Sequence, residues 1–143
     1  MRWFDRRGAI GEIRATAGAG VFEITVCDWF AAAHQLRLGD GALEPLHGHN
    51  WRVTVTLAGP RLDDMGVLAD FAVVRARLAE LVRTLHDRNL NELPEFAARN
   101  PSAENVAAHI ADRLGDLCGG VVLRCVEIEE APGCVARYYP PES

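Results

Sequence analysis

Three of the five histidines in this 143-residue chain fall within sixteen positions, as His34 and the pair His47-Gly48-His49. A neutral imidazole is a metal ligand, and an imidazole near neutral pH is also a proton carrier. Spacing favours the first role here. His47 and His49 open the run Trp51-Arg52-Val53-Thr54-Val55-Thr56-Leu57, in which apolar and polar residues alternate. In extended backbone, residues i and i+2 point to the same side. The two imidazoles therefore project together, and a neighbouring strand carrying His34 completes a three-histidine set. Three neutral imidazoles and one open position suit a catalytic zinc, whereas structural zinc is closed by four protein ligands. The bland alternative is a pair of polar residues at the start of a strand.

These side chains need strands to position them. Phe22, Ile24, Val26 and Phe30 share one parity over residues 21–31, interrupted by Asp28, and that parity continues to Ala32 and His34. Residues 39–45 hold two glycines, a proline and two acids and read as a loop. The second strand covers 49–57, with His47 and His49 on its apolar face, and Gly59-Pro60 ends it. A helix starts at Asp70, a good N-cap, with Phe71, Val74, Leu78, Leu81, Val82 and Leu85 on its apolar stripe. Ser102 and Glu104 mark the start of a second helix, whose stripe is Val106, Ile110, Leu114 and Leu117 and which Gly119-Gly120 terminates. A strand over 121–130, a turn at Pro132-Gly133 and a strand over 134–139 follow. The order is ββααββ. That order predicts an α+β domain: a four-stranded antiparallel sheet with two helices on one face. Residues 21–143 form that single domain. Residues 1–20 are set apart as an N-terminal segment, with a short strand around Trp3-Phe4 or residues 10–13 and a small-residue turn at 17–20.

Composition narrows the partners. The chain is 49% hydrophobic and 24% charged, enough to bury an ordinary core. A formal charge of −5 argues against a surface built for nucleic acid. No apolar run reaches the roughly 20 residues needed to span a bilayer. The arginines at 2, 6, 7 and 14 interrupt any secretory leader. The four cysteines show no C-x-x-C pairing and are expected as small apolar residues in a reducing compartment, so the expected location is the cytoplasm.

Several motifs together resemble the 6-pyruvoyl-tetrahydropterin synthase / 6-carboxytetrahydropterin synthase family. They are Phe30-Ala31-Ala32-Ala33-His34, His47-Gly48-His49-Asn50-Trp51, Gly66-Val67-Leu68-Ala69-Asp70-Phe71, Leu90-Asn91, Pro101-Ser102-Ala103-Glu104-Asn105 and Glu130-Ala131-Pro132. They occur in the family's order. The resemblance implies the tunnelling fold and a homo-oligomer, commonly a hexamer, with active sites at subunit boundaries. It implies Zn2+ on His34, His47 and His49, and a pterin held by Glu130 through its 2-amino and N3–H groups. It implies lyase chemistry on 7,8-dihydroneopterin triphosphate, as in 6-carboxytetrahydropterin synthase on the route to deazapurine (queuosine-type) nucleosides.

Two positions depart from the family pattern. The usual catalytic cysteine, four residues before the first histidine of H-G-H, is Leu43, and the adjacent titratable residue is Glu44. The usual Asp-His pair appears in reversed order as His86-Asp87. His86, Asp87 and Glu44 are therefore the candidate catalytic residues, and Arg88 is a candidate for approaching the triphosphate. Alternatives follow: a Glu44-dependent cleavage to a 6-hydroxymethyl dihydropterin, a zinc- and pterin-binding relative without catalysis, or a zinc-hydroxide hydrolase. Asp70 is read as a cap, Glu104 as a stabiliser of a helix N-terminus, His109 as structural or exposed, and Cys134 as packing.

Overall fold

A computed structural model describes residues 2–4, 10–12, 20–115 and 121–141. The elements are β1 (Arg2–Phe4), β2 (Ile10–Glu12), β3 (Phe22–His34), β4 (His47–Gly59), α1 (Phe71–Arg83), β5 (Arg88–Asn89), α2 (Ala103–Leu114), β6 (Val122–Ala131) and β7 (Cys134–Tyr138). Two 3-10 turns, Leu90–Glu92 and Pro94–Phe96, lie between β5 and α2. β1 and β2 pair as a separate two-stranded sheet. The expected turn at 17–19, and Leu117 and Gly119-Gly120, lie outside the described residues.

The main sheet has the order β5-β3-β4-β6-β7. Four of its strands are the antiparallel set that the alternating pattern predicts. The fifth corrects that expectation: β5 is two residues long and pairs parallel to β3, through Ala32–Arg88 and Ala33–Asn89. A strand that short carries no periodicity to read. β3 and β4 are longer than the pattern suggests, because their ladder runs unbroken from Phe22–Gly59 to His34–His47.

One face of the sheet is apolar and packs on the helices. Trp51, Val53, Val55 and Leu57 of β4 are at most 1% exposed, as are Val74 and Leu78 of α1 and Val106 and Ile110 of α2. Each such side chain contributes about 1.5–3 kcal/mol of burial. The caps form where expected. Asp70 accepts from the Ala72 amide, and the Ser102 hydroxyl accepts from the Asn105 amide.

Two local expectations change. Phe71, placed on the α1 stripe, is 53% exposed at the first helical position. α2 ends at Leu114, where Gly115 takes φ +57° and its amide bonds the Ala111 carbonyl. Of the two readings of His109 the structural one holds: it is buried, edge-on to the Phe96 ring at 5.4 Å.

Candidate active site

The antiparallel register of β3 and β4 builds the histidine cluster. His34 and His47 are direct cross-strand partners, and His49 faces Ala32 two positions along, on the same side. Cross-strand pairs on one face hold their Cβ atoms about 5 Å apart. The three ring centroids accordingly lie 4.7, 4.8 and 5.2 Å apart. One ligand atom from each ring lies within 4.8 Å of the others. Exposure is graded, from 1% at the His34 side chain to 23% at His49 and 41% at His47. The cluster is therefore closed at the His34 end and open to an incoming molecule at the His47 end.

Backbone carbonyls fix which nitrogen faces inward. His34 Nδ1 lies 2.8 Å from the Pro101 carbonyl, and His47 Nδ1 lies 2.8 Å from the Pro45 carbonyl. A carbonyl only accepts, so each Nδ1 carries the proton and each Nε2 offers its lone pair. This is the outer support that metal-binding imidazoles commonly have. His34 Nε2 is buried without a hydrogen-bond partner. Its nearest charged neighbour is Glu130 Oε1 at 3.0 Å, out of hydrogen-bond alignment. Two acceptors facing each other at that distance call for a positive charge between them. The His49 pKa is lowered, chiefly by burial, with Glu130 opposing and the other two histidines adding to the decrease. That favours the neutral, ligating form. Three neutral imidazoles with an adjacent carboxylate are a donor set suited to zinc.

The conserved-looking motif segments turn out to be scaffolding for His34. Asn91 clamps the strand exit, with Oδ1 accepting from the Gln35 amide and Nδ2 donating to the Gln35 carbonyl. Asn100 makes the same two-way contact with Arg37, and Asn105 Nδ2 donates to the Asn100 carbonyl. Ser102 caps α2, and the preceding Pro101 carbonyl holds His34. The sequence shows the motifs, but their backbone partners lie 5–67 positions away and leave no local trace. Beneath the cluster, Trp51 donates from Nε1 to the Ala32 carbonyl and meets the His34 ring edge-on at 4.8 Å.

The other candidates divide. Glu130 borders a half-open cavity of about 390 Å³ shared with Ser102, Ala103, Glu104 and Cys134, so it joins the histidine cluster to that space. Glu44 reaches the cluster from the far side. Its Oε1 accepts from the Leu36 amide at 3.0 Å and lies 4.0 Å from His47 Nδ1, the nitrogen turned away from the shared centre. Leu43 is 53% exposed and pairs its backbone with Arg37. His86 and Asp87 are brought together, with Nε2–Oδ2 at 3.4 Å, and dock on Ala31 of β3. Among the described contacts, none joins that pair to the side chains of the three histidines. Cys27, Cys125 and Cys134 are free thiols, and Cys118 is not among the described residues. No described helix is long and apolar enough to cross a membrane.

Comparison with known proteins places the chain in a family. The family model described as 6-pyruvoyl tetrahydropterin synthase matches residues 23–141. A 6-carboxy-5,6,7,8-tetrahydropterin synthase from Synechocystis is 36% identical over 117 residues, covering 78% of this chain and 88% of that protein. The human 6-pyruvoyl tetrahydrobiopterin synthase is 31% identical over 94 residues, covering 64% of this chain and 65% of its own. Among solved structures, Caenorhabditis elegans 6-pyruvoyl tetrahydropterin synthase superposes with a TM-score of 0.74 at 24% identity, covering 86% of this chain and 98% of that one. The chain belongs to the 6-pyruvoyl tetrahydropterin synthase family.

Proposed function

We propose that this protein is a zinc-dependent pterin lyase of the 6-carboxytetrahydropterin synthase type, acting on 7,8-dihydroneopterin triphosphate. The observation that carries the reading is the buried, unpartnered His34 Nε2 opposite Glu130, inside a three-histidine cluster. The Synechocystis and Bacillus subtilis relatives named 6-carboxy-5,6,7,8-tetrahydropterin synthase support the substrate class.

His34, His47 and His49 would hold the ion, which when bound polarises a substrate oxygen and acidifies the protons beside it. The chain's own residues do the rest. Glu130 accepts from the two adjacent pterin donors, a bidentate match for a carboxylate. The half-open cavity it borders with Ser102 and Glu104 would receive the ring. The His86-Asp87 pair stands where the family's Asp-His pair exchanges protons, in an assembly of copies whose sites lie at subunit boundaries. A reducing cytoplasm suits the free thiols, and a route to deazapurine nucleosides is the metabolic setting.

A second reading gives Glu44 the part of the missing cysteine and yields a 6-hydroxymethyl dihydropterin. Its support is that a solved Plasmodium vivax 6-pyruvoyltetrahydropterin synthase has a glutamate as a catalytic residue. Against it, Glu44 is already bonded to the Leu36 amide on the outer side of His47. Incubating the zinc-loaded protein with 7,8-dihydroneopterin triphosphate and identifying the product by mass spectrometry separates these readings. A 6-carboxy product supports the first and a 6-hydroxymethyl product the second. Pterin binding that depends on Glu130 without turnover would leave a non-catalytic relative. No pterin binding would leave a zinc hydrolase.

A further inference from the structure

The reversed His86-Asp87 pair has a geometry of its own. Asp87 is the only described non-glycine residue with positive φ, at +57°. Left-handed backbone is unusual for most side chains and best tolerated by Asn and Asp among them. Here it folds two adjacent side chains toward each other instead of apart. The turn is pinned to β3 at both polar groups of one residue. The Asp87 amide donates to the Ala31 carbonyl at 2.7 Å, and the Ala31 amide donates to His86 Nδ1 at 3.1 Å.

The second of these bonds sets the imidazole's state. A nitrogen that accepts from an amide has no proton, so the proton of the neutral ring sits on Nε2. That nitrogen faces Asp87 Oδ2 at 3.4 Å. Nδ1 of His86 is thus engaged by the backbone amide, and Nε2 carries the ring proton beside the neighbouring carboxylate. No lone pair is left to take a proton from a substrate. Asp87 differs. Its side chain is 78% exposed, and it borders an open groove of about 550 Å³ that His86 does not border. The same groove is lined by the small residues Ala31, Ala33 and Gly48 and by His49 of the histidine cluster.

We infer that Asp87 is the catalytic residue that exchanges the proton with the pterin side chain, and that His86 is a positioning residue that aims it. The assignment rests on the function proposed above. In the step, a substrate O–H or adjacent C–H bond breaks and an Asp87 O–H bond forms. The electron pair stays on the substrate, and the same proton returns to it later. His86 keeps its own proton throughout.

The test compares Asp87→Asn, His86→Asn and His86→Ala in the zinc-loaded full chain, with a 15N spectrum of the wild-type imidazoles. Asparagine at 87 keeps the left-handed turn and removes the base. Asparagine at 86 keeps an acceptor where Nδ1 stood and removes the imidazole. D87N should lower kcat for 7,8-dihydroneopterin triphosphate by about 100-fold or more with KM little changed. H86N should recover most of what H86A loses. The His86 resonances should show Nε2 protonated and Nδ1 bare. A D87N variant as fast as an active wild type, or a His86 ring protonated on Nδ1, overturns this assignment alone. A wild type that converts no pterin overturns the proposed function, and the assignment with it.

Discussion

At the scale of single residues, the site is a problem of charge. His34 Nε2 and Glu130 Oε1 stand 3.0 Å apart, both as acceptors. A cation relieves that arrangement, and removing the carboxylate relieves it differently. Glu130→Gln should therefore retain zinc while losing pterin affinity by about 30-fold, the value of one charge-assisted contact of ~2 kcal/mol. Calorimetry with a non-reactive pterin measures this. His109 offers a pH test away from the site. Burial is the largest influence and lowers its pKa below 6.5 in the folded chain. Below about pH 6.5 the unfolded chain binds a proton that the folded chain resists, so stability falls as pH drops toward the folded value. His109→Phe should flatten that part of the stability profile in urea titrations. His34, His47 and His49 were legible from type and spacing alone. The preferred nitrogen of each ring was not, because Pro45 and Pro101 contribute main-chain oxygens that any residue type possesses.

At the scale of elements, the strands and helices follow periodicity and the site follows register. Thirteen-residue partners β3 and β4 put His34 opposite His47. A slip of one position would turn one strand's histidine away from the other's. The alternation of Val53, Val55 and Leu57 announces β4, and Asp70 and Ser102 announce the helices. β5 left no signal at two residues, and the end of α2 was set by Gly115 instead of the glycine pair beyond it. Asn91 read as part of a loop motif. Its two bonds to Gln35 show it to be the clamp that sets where His34 leaves the strand. Asn91→Ala should cost about 1–3 kcal/mol in chemical unfolding, from main-chain groups left unpaired. It should also weaken zinc retention against a chelator.

At the scale of the whole molecule, the sheet is covered by helices on one face only. On the other, Trp29 is 57% exposed, with the Arg52 guanidinium 5.6 Å over its ring. Among the described residues no strand pairs with the outer edges of β5 and β7, edges of the kind that further chains extend. The assembly proposed above is a homo-oligomer, a hexamer by family resemblance. Sedimentation equilibrium should give an integral multiple of the chain mass, and Trp29→Glu should shift it toward the monomer. The proposed zinc ion on the three histidines is probed by turnover of 7,8-dihydroneopterin triphosphate in chelator-stripped protein, zinc-restored protein and a zinc-supplemented His49→Ala variant. Conversion is expected only in the zinc-restored wild type, with about one ion per chain. Equal conversion by the stripped protein or by the variant, or none after zinc is restored, would contradict it.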